Sequence, residues 1–211
     1  MNGTMKKEIK HIWFDMSDTI AVMSSQGRII HRDYKYKIFA NVTGKTNNAE
    51  LQKEFDKLFE EKKSNSSIFY SLGKPKDFWA KELNKIDPTE IYEQNPDISS
   101  VLQKLRTRVP ISLFTNSKPE LILPKLGIRL DWFTHILDAD SILEPKPSLS
   151  GFYKIIETTG LQAENILYVG DSEGKDIIPA KEVGMQTAIV WGKSDKTEYE
   201  CEHFVELLKI V

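Results

Sequence analysis

The chain has 211 residues, a length that suits one substantial domain or one domain carrying a smaller insert. Hydrophobic residues make up 40% of it and charged residues 28%, as in ordinary globular proteins. The formal net charge is only −2, so electrostatics give no reason to expect nucleic acid or an anionic membrane as the main partner.

Targeting and redox features are sparse in the sequence. The lysines among residues 1–10 are not followed by an apolar stretch of signal-peptide length, and no apolar run approaches a membrane span. The single cysteine, Cys201, cannot form an intrachain disulfide. We therefore expect a cytoplasmic protein that does not bind membranes. The sequence leaves open whether it is a monomer or a homodimer.

The first predicted element is a strand over residues 9–14, which is short, aromatic and β-branched and ends at Asp15. From residue 32 to about residue 95 the chain is instead rich in Lys and Glu, with apolar residues at helical spacing. This change of pattern predicts an all-helical segment after the first strand.

Two helices can be delimited within that segment. Asn47 and Asn48 are N-cap residues for a helix that the serines of residues 64–67 would end. A second helix starts near Pro75. The aromatic residues of this segment recur at helical spacing, which is more typical of a buried core than of a substrate pocket.

From residue 97 onward, short predicted strands alternate with predicted helices. The strands cover residues 109–114, 134–137, 166–169 and 187–190, and the helices cover residues 98–105, 119–127, 149–158, 175–183 and 204–209. This alternation predicts an α/β fold, a doubly wound parallel sheet with helices on both faces.

Polar residues directly follow three of the predicted strands. Asp15 follows the first strand, Thr115 and Asn116 follow the strand of residues 109–114, and Asp171 comes just after residue 170 at the end of another. Lys146 lies in a proline-flanked loop before the helix that leads into that last strand. Ligands of open parallel sheets bind outside the carboxyl ends of the strands, so we expect these side chains to meet there.

Two carboxylates that converge at one edge repel each other unless a cation lies between them. Hard oxygen ligands favour Mg²⁺, which takes one or two carboxylates together with substrate phosphate. A neighbouring lysine and hydroxyl would hold the phosphoryl oxygens, and a carboxylate can serve as the nucleophile. The pattern therefore indicates phosphoryl-transfer chemistry.

Four segments together resemble the motifs of the haloacid dehalogenase superfamily. In chain order they are residues 14–20, residues 114–117, Lys146 with the Pro-Ser that follows it, and residues 169–177. The resemblance implies a Rossmann-like core of residues 1–20 plus 96–211, with a small all-helical cap of residues 21–95 inserted between the first two motifs. Caps of this kind close over the site and select the substrate.

The resemblance also implies a role for the acidic residues. Asp15 would be the nucleophile, forming an aspartyl-phosphate, and it would also be a metal ligand. The backbone carbonyl of Ser17 and the carboxylate of Asp171 would complete the protein's share of the Mg²⁺ site. Asp176 would support the ion at longer range or through water.

The same resemblance implies a phosphate-binding set. Thr115 and Asn116 at the end of their strand would bind the phosphoryl group together with Lys146. The lysine would also offset the negative charge around Asp15, which makes it part of the catalytic set.

Ser17 departs from the usual pattern, because the family's phosphatases carry a second aspartate at this position. That aspartate protonates the leaving group and then activates water, which a serine hydroxyl cannot do near neutral pH. Asp18 is one residue further on and is not expected to replace it. Three alternatives stay open: a preference for leaving groups that need little protonation, a proton from another group of the cap or the substrate, or a weak or degenerate enzyme.

The sequence therefore predicts a Mg²⁺-dependent hydrolase of small phosphorylated metabolites. The alternatives are a degenerate phosphate-binding or ligand-binding protein without turnover and a relative that cleaves C–P or C–halogen bonds. The family's dehalogenases also lack the second aspartate, but they need no metal and do not keep the motif that contains Asp171 and Asp176. Those two residues therefore favour phosphate chemistry.

Overall fold

The computed structural model describes residues 7–211, so residues 1–6 of the predicted core lie outside the described part. Its centre is a six-stranded parallel sheet with the strand order β3-β2-β1-β4-β5-β6. The strands are β1 (His11–Phe14), β2 (Ile111–Phe114), β3 (Ile136–Leu137), β4 (Ile166–Gly170), β5 (Gln186–Val190) and β6 (Tyr199–Cys201). The chain builds one half of the sheet outward from β1 and then crosses back to build the other half, which confirms the predicted fold class.

The three central strands end at the same edge of the sheet. Phe14 of β1 lies opposite Leu113 of β2 and Val169 of β4. Every residue of these three strands is buried, as expected for a parallel sheet that is covered on both faces. The residues that follow each strand therefore meet at one edge.

Six α-helices lie between β1 and β2, and the first five of them fall in the segment predicted to be helical. These five are α1 (Ser25–Thr43), α2 (Ala49–Lys62), α3 (Asn65–Ser71), α4 (Phe78–Leu83) and α5 (Pro88–Ile91). Asn48 caps α2 as predicted, its side chain accepting a hydrogen bond from the backbone N–H of Leu51. The helix ends just before the serines of residues 64–67, as predicted, and Ser64 in addition begins α3: its Oγ accepts from the Ser67 N–H at 3.1 Å.

The remaining helices belong to residues 96–211, the part of the chain that also contains β2 to β6. They are α6 (Pro96–Leu105), α7 (Leu149–Thr159) and α8 (Ile178–Glu182), with 3₁₀ turns that include Ala163–Asn165 and Phe204–Lys209. The prediction of one helix over residues 119–127 is wrong, because two 3₁₀ turns, Pro119–Leu121 and Leu123–Leu126, stand there instead. Pro124 has no N–H to donate to the Glu120 carbonyl, so a continuous α-helix loses a bond at this point.

The predicted helix over residues 175–183 is irregular. It begins two residues earlier with a π-helical turn, Glu173–Ile177, which continues into α8. Pro179 lacks the N–H that an α-helix would direct to the Lys175 carbonyl, and its ring crowds that carbonyl, so a wider turn is favoured. This turn carries Lys175 and Asp176, two residues of the site described below.

Two apolar clusters pack against the sheet. The smaller one includes Trp13 and Phe152 with residues of α7 and α8. The larger one runs from Phe14 of β1 into the helical segment, where the rings of Phe39 and Phe55 lie 5.1 Å apart. The sheet and the helical segment therefore share a continuous core. Within residues 7–211, no helix has the length and apolar character needed to cross a bilayer.

Gly151 of α7 packs directly against the ring of Phe114. A Cβ atom at this position would lie 2.2 Å from the ring, and Phe114 is itself fully buried. We expect Gly151→Ala to lower the free energy of unfolding by about 1–3 kcal/mol, because overpacking outweighs the better helix propensity of alanine. Urea denaturation measures the change. The control is Gly192→Ala, where a Cβ atom meets nothing within 4 Å, and equal losses for both variants would contradict the packing argument.

Candidate active site

Asp15 lies buried directly after β1, with a lysine ammonium group on each carboxylate oxygen. Lys146 Nζ donates to Oδ1 at 2.7 Å, and Lys175 Nζ donates to Oδ2 at 2.9 Å. The Asp15 backbone N–H donates to the Val169 carbonyl of β4 at 2.8 Å, which continues the strand pairing past the end of β1. The position of the carboxylate is therefore set by the sheet on one side and by two ion pairs on the other.

Lys146 is fully buried, which is rare for a lysine unless its charge is paired. Its ammonium group donates to Asp15 at 2.7 Å, to Asp176 at 2.8 Å, to the Tyr168 hydroxyl at 2.8 Å and to the Phe114 carbonyl at 3.1 Å. Three N–H groups thus have four acceptors within reach, so burial leaves none of them without a partner.

Asp171 and Asp176 form a cluster of three carboxylates with Asp15. One oxygen from each of the three lies within 4.8 Å of the others. Lys175 Nζ lies among them, 3.6 Å from an oxygen of Asp171 and 3.6 Å from an oxygen of Asp176, and Thr19 Oγ1 donates to Asp171 at 3.2 Å. Three carboxylates and two ammonium groups leave an excess of one negative charge, and such a set of oxygen donors fits Mg²⁺.

Gly170, the last residue of β4, makes room for Asp176. A Cβ atom on Gly170 would lie 2.4 Å from the Cβ atom of Asp176. The Asp176 carboxylate also accepts a hydrogen bond from the Ser172 backbone N–H at 3.3 Å. Glycine is therefore required at position 170 for a steric reason: a side chain there would keep the Asp176 carboxylate away from the end of β4.

The buried lysines and carboxylates shift one another's pKa values. Burial raises the pKa of Asp15, but the ammonium groups of Lys146 and Lys175 outweigh it and hold the pKa at about 2. Burial raises the pKa of Asp171 to about 7, with Lys175 opposing and the neighbouring carboxylates adding to the rise. Burial also raises the pKa of Asp176. Asp15 is thus the carboxylate of the three whose pKa is lowered, so it is ionised at physiological pH, as a nucleophile requires.

Thr115 and Asn116 follow β2 as predicted, but their side chains do different things. Thr115 is buried, and its Oγ1 accepts from the Ser117 backbone N–H at 3.1 Å, an arrangement in which the hydroxyl proton can be donated. Asn116 holds the backbone of Lys146: its Oδ1 accepts from the N–H at 2.8 Å and its Nδ2 donates to the carbonyl at 3.1 Å. Asn116 therefore orients the lysine loop, and its contact with phosphate stays a prediction.

Ser17 lies in the tight turn after Asp15 and is partly exposed. The next residue, Asp18, adopts a left-handed backbone with φ 60°. Its carboxylate accepts two hydrogen bonds from Arg28 of α1, at 2.9 and 3.3 Å. Asp18 is thus engaged in an ion pair with the helical segment, in keeping with the expectation that it does not replace the missing aspartate.

A cavity of about 180 Å³ lies between the strand ends and the helical segment. On the side of the sheet its lining includes Ser17, Asp171 and Lys175, and on the side of the helices it includes His31 and Trp79. A small molecule in this cavity would touch both parts of the chain and would lie next to the carboxylate cluster.

Three residues near the site received no role from the sequence. Lys175 comes four residues after Asp171 and one before Asp176, so its place in the fourth motif was a signal that could have found it. Tyr168 lies inside β4, and its hydroxyl oxygen accepts a hydrogen bond from the buried Lys146 ammonium group. No local sequence pattern indicates this contact. Tyr92 lines the cavity from the far end of the helical segment, where only the folded chain can bring it.

Comparison with known proteins assigns this geometry to a family. The haloacid dehalogenase-like hydrolase family matches residues 14–190, from the end of β1 to the end of β5. The chain therefore belongs to the haloacid dehalogenase-like hydrolase family. The predicted family and the predicted enzyme class are confirmed.

Several relatives carry phosphatase names. A phosphoglycolate phosphatase of Neisseria gonorrhoeae is 38% identical over 93 residues, 42% of this chain and 39% of that protein. A glyceraldehyde 3-phosphate phosphatase of Methanocaldococcus jannaschii is 28% identical over 96% of this chain and 97% of that protein. The crystal structure of a HAD phosphatase from Thermococcus onnurineus shares the fold with a TM-score of 0.68 and 22% identity, over 96% of this chain and 97% of that one. The chain spans about half the length of several curated relatives that it matches.

Removing the Lys146 ammonium group would take one of two shared cations from the buried Asp15 and Asp176 and leave only Lys175 between them. We expect Lys146→Met to lower the free energy of unfolding by about 3–5 kcal/mol in metal-free buffer, because breaking a buried ion pair leaves uncompensated charge. Denaturant titration measures the loss. The matched control is Lys154→Met in α7, whose pair with Glu157 is exposed and should matter little. Similar stability of the two variants would contradict a structural role for the buried pair.

Proposed function

We propose that this protein is a Mg²⁺-dependent phosphatase of small phosphorylated metabolites that works through a phosphoaspartate on Asp15. The observation that carries the proposal is the Asp15 carboxylate itself, which is kept ionised by two ammonium groups and lies beside two further carboxylates. Relatives named as phosphatases, one of them aligned over nearly its whole length, support phosphate chemistry over carbon–halogen cleavage.

In the proposed reaction an oxygen of Asp15 attacks the phosphorus of the substrate. An O–P bond forms to the carboxylate while the bond from phosphorus to the substrate oxygen breaks. Water then attacks the phosphoaspartate, which releases inorganic phosphate and restores the carboxylate. Mg²⁺, when bound, would neutralise charge on the phosphoryl oxygens.

The chain's own residues divide between the cation and the phosphoryl group. Asp15, the Ser17 backbone carbonyl and Asp171 would hold Mg²⁺, with Asp176 acting at longer range or through water. The cluster supports this assignment, because its three carboxylates offer hard oxygen donors within 4.8 Å of one another. The phosphoryl oxygens would be bound by Thr115, Asn116 and Lys146.

We further propose that residues 21–95 act as a cap over a core of residues 1–20 and 96–211. Ser64 and Ser67 of the helical segment both donate to the Lys146 carbonyl at 2.8 Å, so the helices contact the loop that carries the buried lysine. The cavity beneath them holds only about 180 Å³. A cap with these contacts would restrict the site to small substrates, such as phosphorylated acids or aldehydes of a few carbon atoms.

Because position 17 lacks the aspartate, we expect kcat to depend strongly on whether the leaving group of the substrate needs a proton. Acetyl phosphate releases a carboxylate that needs no proton, whereas 2-phosphoglycolate releases an alkoxide that does. We expect Ser17→Asp to raise kcat for 2-phosphoglycolate about 10- to 100-fold and to raise kcat for acetyl phosphate less, because protonation of the leaving group helps only the first substrate, whereas activation of water is common to both. Phosphate release in Mg²⁺ buffer measures both rates.

Asp15→Asn is the control for this experiment and should abolish turnover of both phosphates. Equal gains on both substrates would mean that Ser17→Asp acts on a step common to both and not on protonation of the leaving group. Turnover that survives Asp15→Asn would exclude Asp15 as the nucleophile.

A second candidate function is binding of phosphate or a phosphorylated ligand without turnover, which the serine at position 17 favours. It predicts that the natural protein binds inorganic phosphate in calorimetry but releases none from either substrate. Metal-independent halide release would instead indicate C–halogen cleavage, and phosphate release from a phosphonate would indicate C–P cleavage. Cytoplasmic localisation stays a prediction, and the oligomeric state stays open.

Lys175 offers a separate test of the cation site. Its ammonium group lies 2.9–3.6 Å from an oxygen of each of the three carboxylates, in the space that a cation would use. We expect Lys175→Met to tighten Mg²⁺ binding by about 10-fold or more, because a positive charge at this distance opposes a second cation. Calorimetry without substrate measures the affinity, with the exposed Lys193→Met as control. Unchanged or weaker binding would place the ion away from this cluster.

A further inference from the structure

The Tyr92 side chain is buried, yet its hydroxyl makes no well-formed hydrogen bond, although the Ser17 side chain lies near it. Among residues 7–211 only two other buried side-chain polar atoms share this condition, Trp13 Nε1 and Asn65 Oδ1. Folded proteins pair nearly all buried polar groups, so an unpaired one needs a reason. Tyr92 and Asn65 both line the cavity beside the carboxylate cluster, which indicates that a bound molecule supplies their missing partners.

The backbone holds Tyr92 firmly in this position. It follows α5, and its N–H donates to the Pro88 carbonyl at 2.8 Å. It also forms an antiparallel bridge with Met23, where the two connections between the sheet and the helical segment run side by side. The backbone of Tyr92 is therefore held at the junction of the two parts of the chain.

Tyr92 lines the same cavity as Ser17, the position at which the family's phosphatases carry their acid–base aspartate. Ser17, Asp171 and Lys175 line the same cavity. The Ser17 side chain also lies close to the Tyr92 hydroxyl. A tyrosine hydroxyl has a proton that it can donate in a hydrogen bond, which an ionised carboxylate has not.

We propose that the Tyr92 hydroxyl donates a hydrogen bond to the leaving-group oxygen of the substrate and so takes over part of the work of the aspartate that Ser17 replaces. This inference rests on the proposed phosphatase function. A donor fixed beforehand at an oxygen that gains negative charge stabilises the transition state, because nothing must reorganise as the charge develops.

The reaction needs no reactant other than the substrate and one water molecule. An Asp15 oxygen forms a bond to phosphorus, and the electron pair of the breaking P–O bond goes to the leaving oxygen, where the Tyr92 O–H stabilises it. The leaving alkoxide takes a proton from a water molecule. The oxygen of that water then forms the new bond to phosphorus, which releases phosphate and the free Asp15 carboxylate.

The test is Tyr92→Phe, which removes the hydroxyl and keeps the ring. We expect kcat for 2-phosphoglycolate to fall on the order of 10²-fold, as for loss of one preorganised donor, while kcat for acetyl phosphate changes by less than about 3-fold and KM for both stays similar. The melting temperature should stay the same or rise, because the variant removes a polar group that is buried without a partner. A merely structural role would lower the melting temperature and slow both substrates alike.

Tyr36→Phe is the matched control. This tyrosine lies in α1, is also buried, and donates its hydroxyl to Asp56 at 2.8 Å. Its variant should leave the ratio of the two kcat values unchanged, and a control that shifted the ratio as much as Tyr92→Phe does would overturn the inference.

Two further outcomes would overturn the inference. If the natural protein hydrolyses both substrates and Asp15→Asn abolishes this, then an equal loss on both substrates in Tyr92→Phe, or no loss on either, refutes the role of Tyr92 and leaves the phosphatase function standing. If the natural protein hydrolyses neither substrate, the proposed function fails and the role of Tyr92 fails with it.

Discussion

The burial of one lysine among acceptors from three strands is the interaction on which the rest of this structure depends. The Lys146 ammonium group can leave water only because Asp15, Asp176, Tyr168 and the Phe114 carbonyl surround it. These acceptors come from the ends or the interiors of β1, β2 and β4 and from the helical turn after β4. An unpaired charge in this place would be costly, so the ion pairs disfavour any strand register that separates the acceptors.

The same requirement draws the helical segment into the site. The Lys146 carbonyl accepts hydrogen bonds from Ser64, Ser67 and Asn116, so the loop is held from the helices and from the end of β2 at once. The large apolar cluster is continuous between the sheet and these helices, which makes their mutual position part of the core. A movement of the helices would therefore shift the Lys146 backbone, and with it the ammonium group that binds the Asp15 carboxylate.

The carboxylate cluster, which would supply the nucleophile and bind the cation, lies at the strand ends. Tyr92, which would assist the leaving oxygen, comes from a different part of the chain. The charge cluster is complete in a chain that belongs to the hydrolase family, although position 17 carries serine. The helical side of the cavity is then the place where substitute chemistry can arise, since Tyr92 faces the cavity from there.

The sequence by itself determined the alternation of strands and helices, the order of the sheet-end residues and the family, because these follow from local periodicity and short spacings. It also indicated Asp15, Asp171 and Lys146 as neighbours, since parallel strands end at one edge. Only the tertiary structure decided that Lys175 lies between the carboxylates and that Tyr92 faces the cavity. The fourth motif places Lys175 near the site, but its ammonium group reaches an Asp15 oxygen only through the packing of the π-helical turn after β4 against the end of β1, and that packing is a tertiary feature.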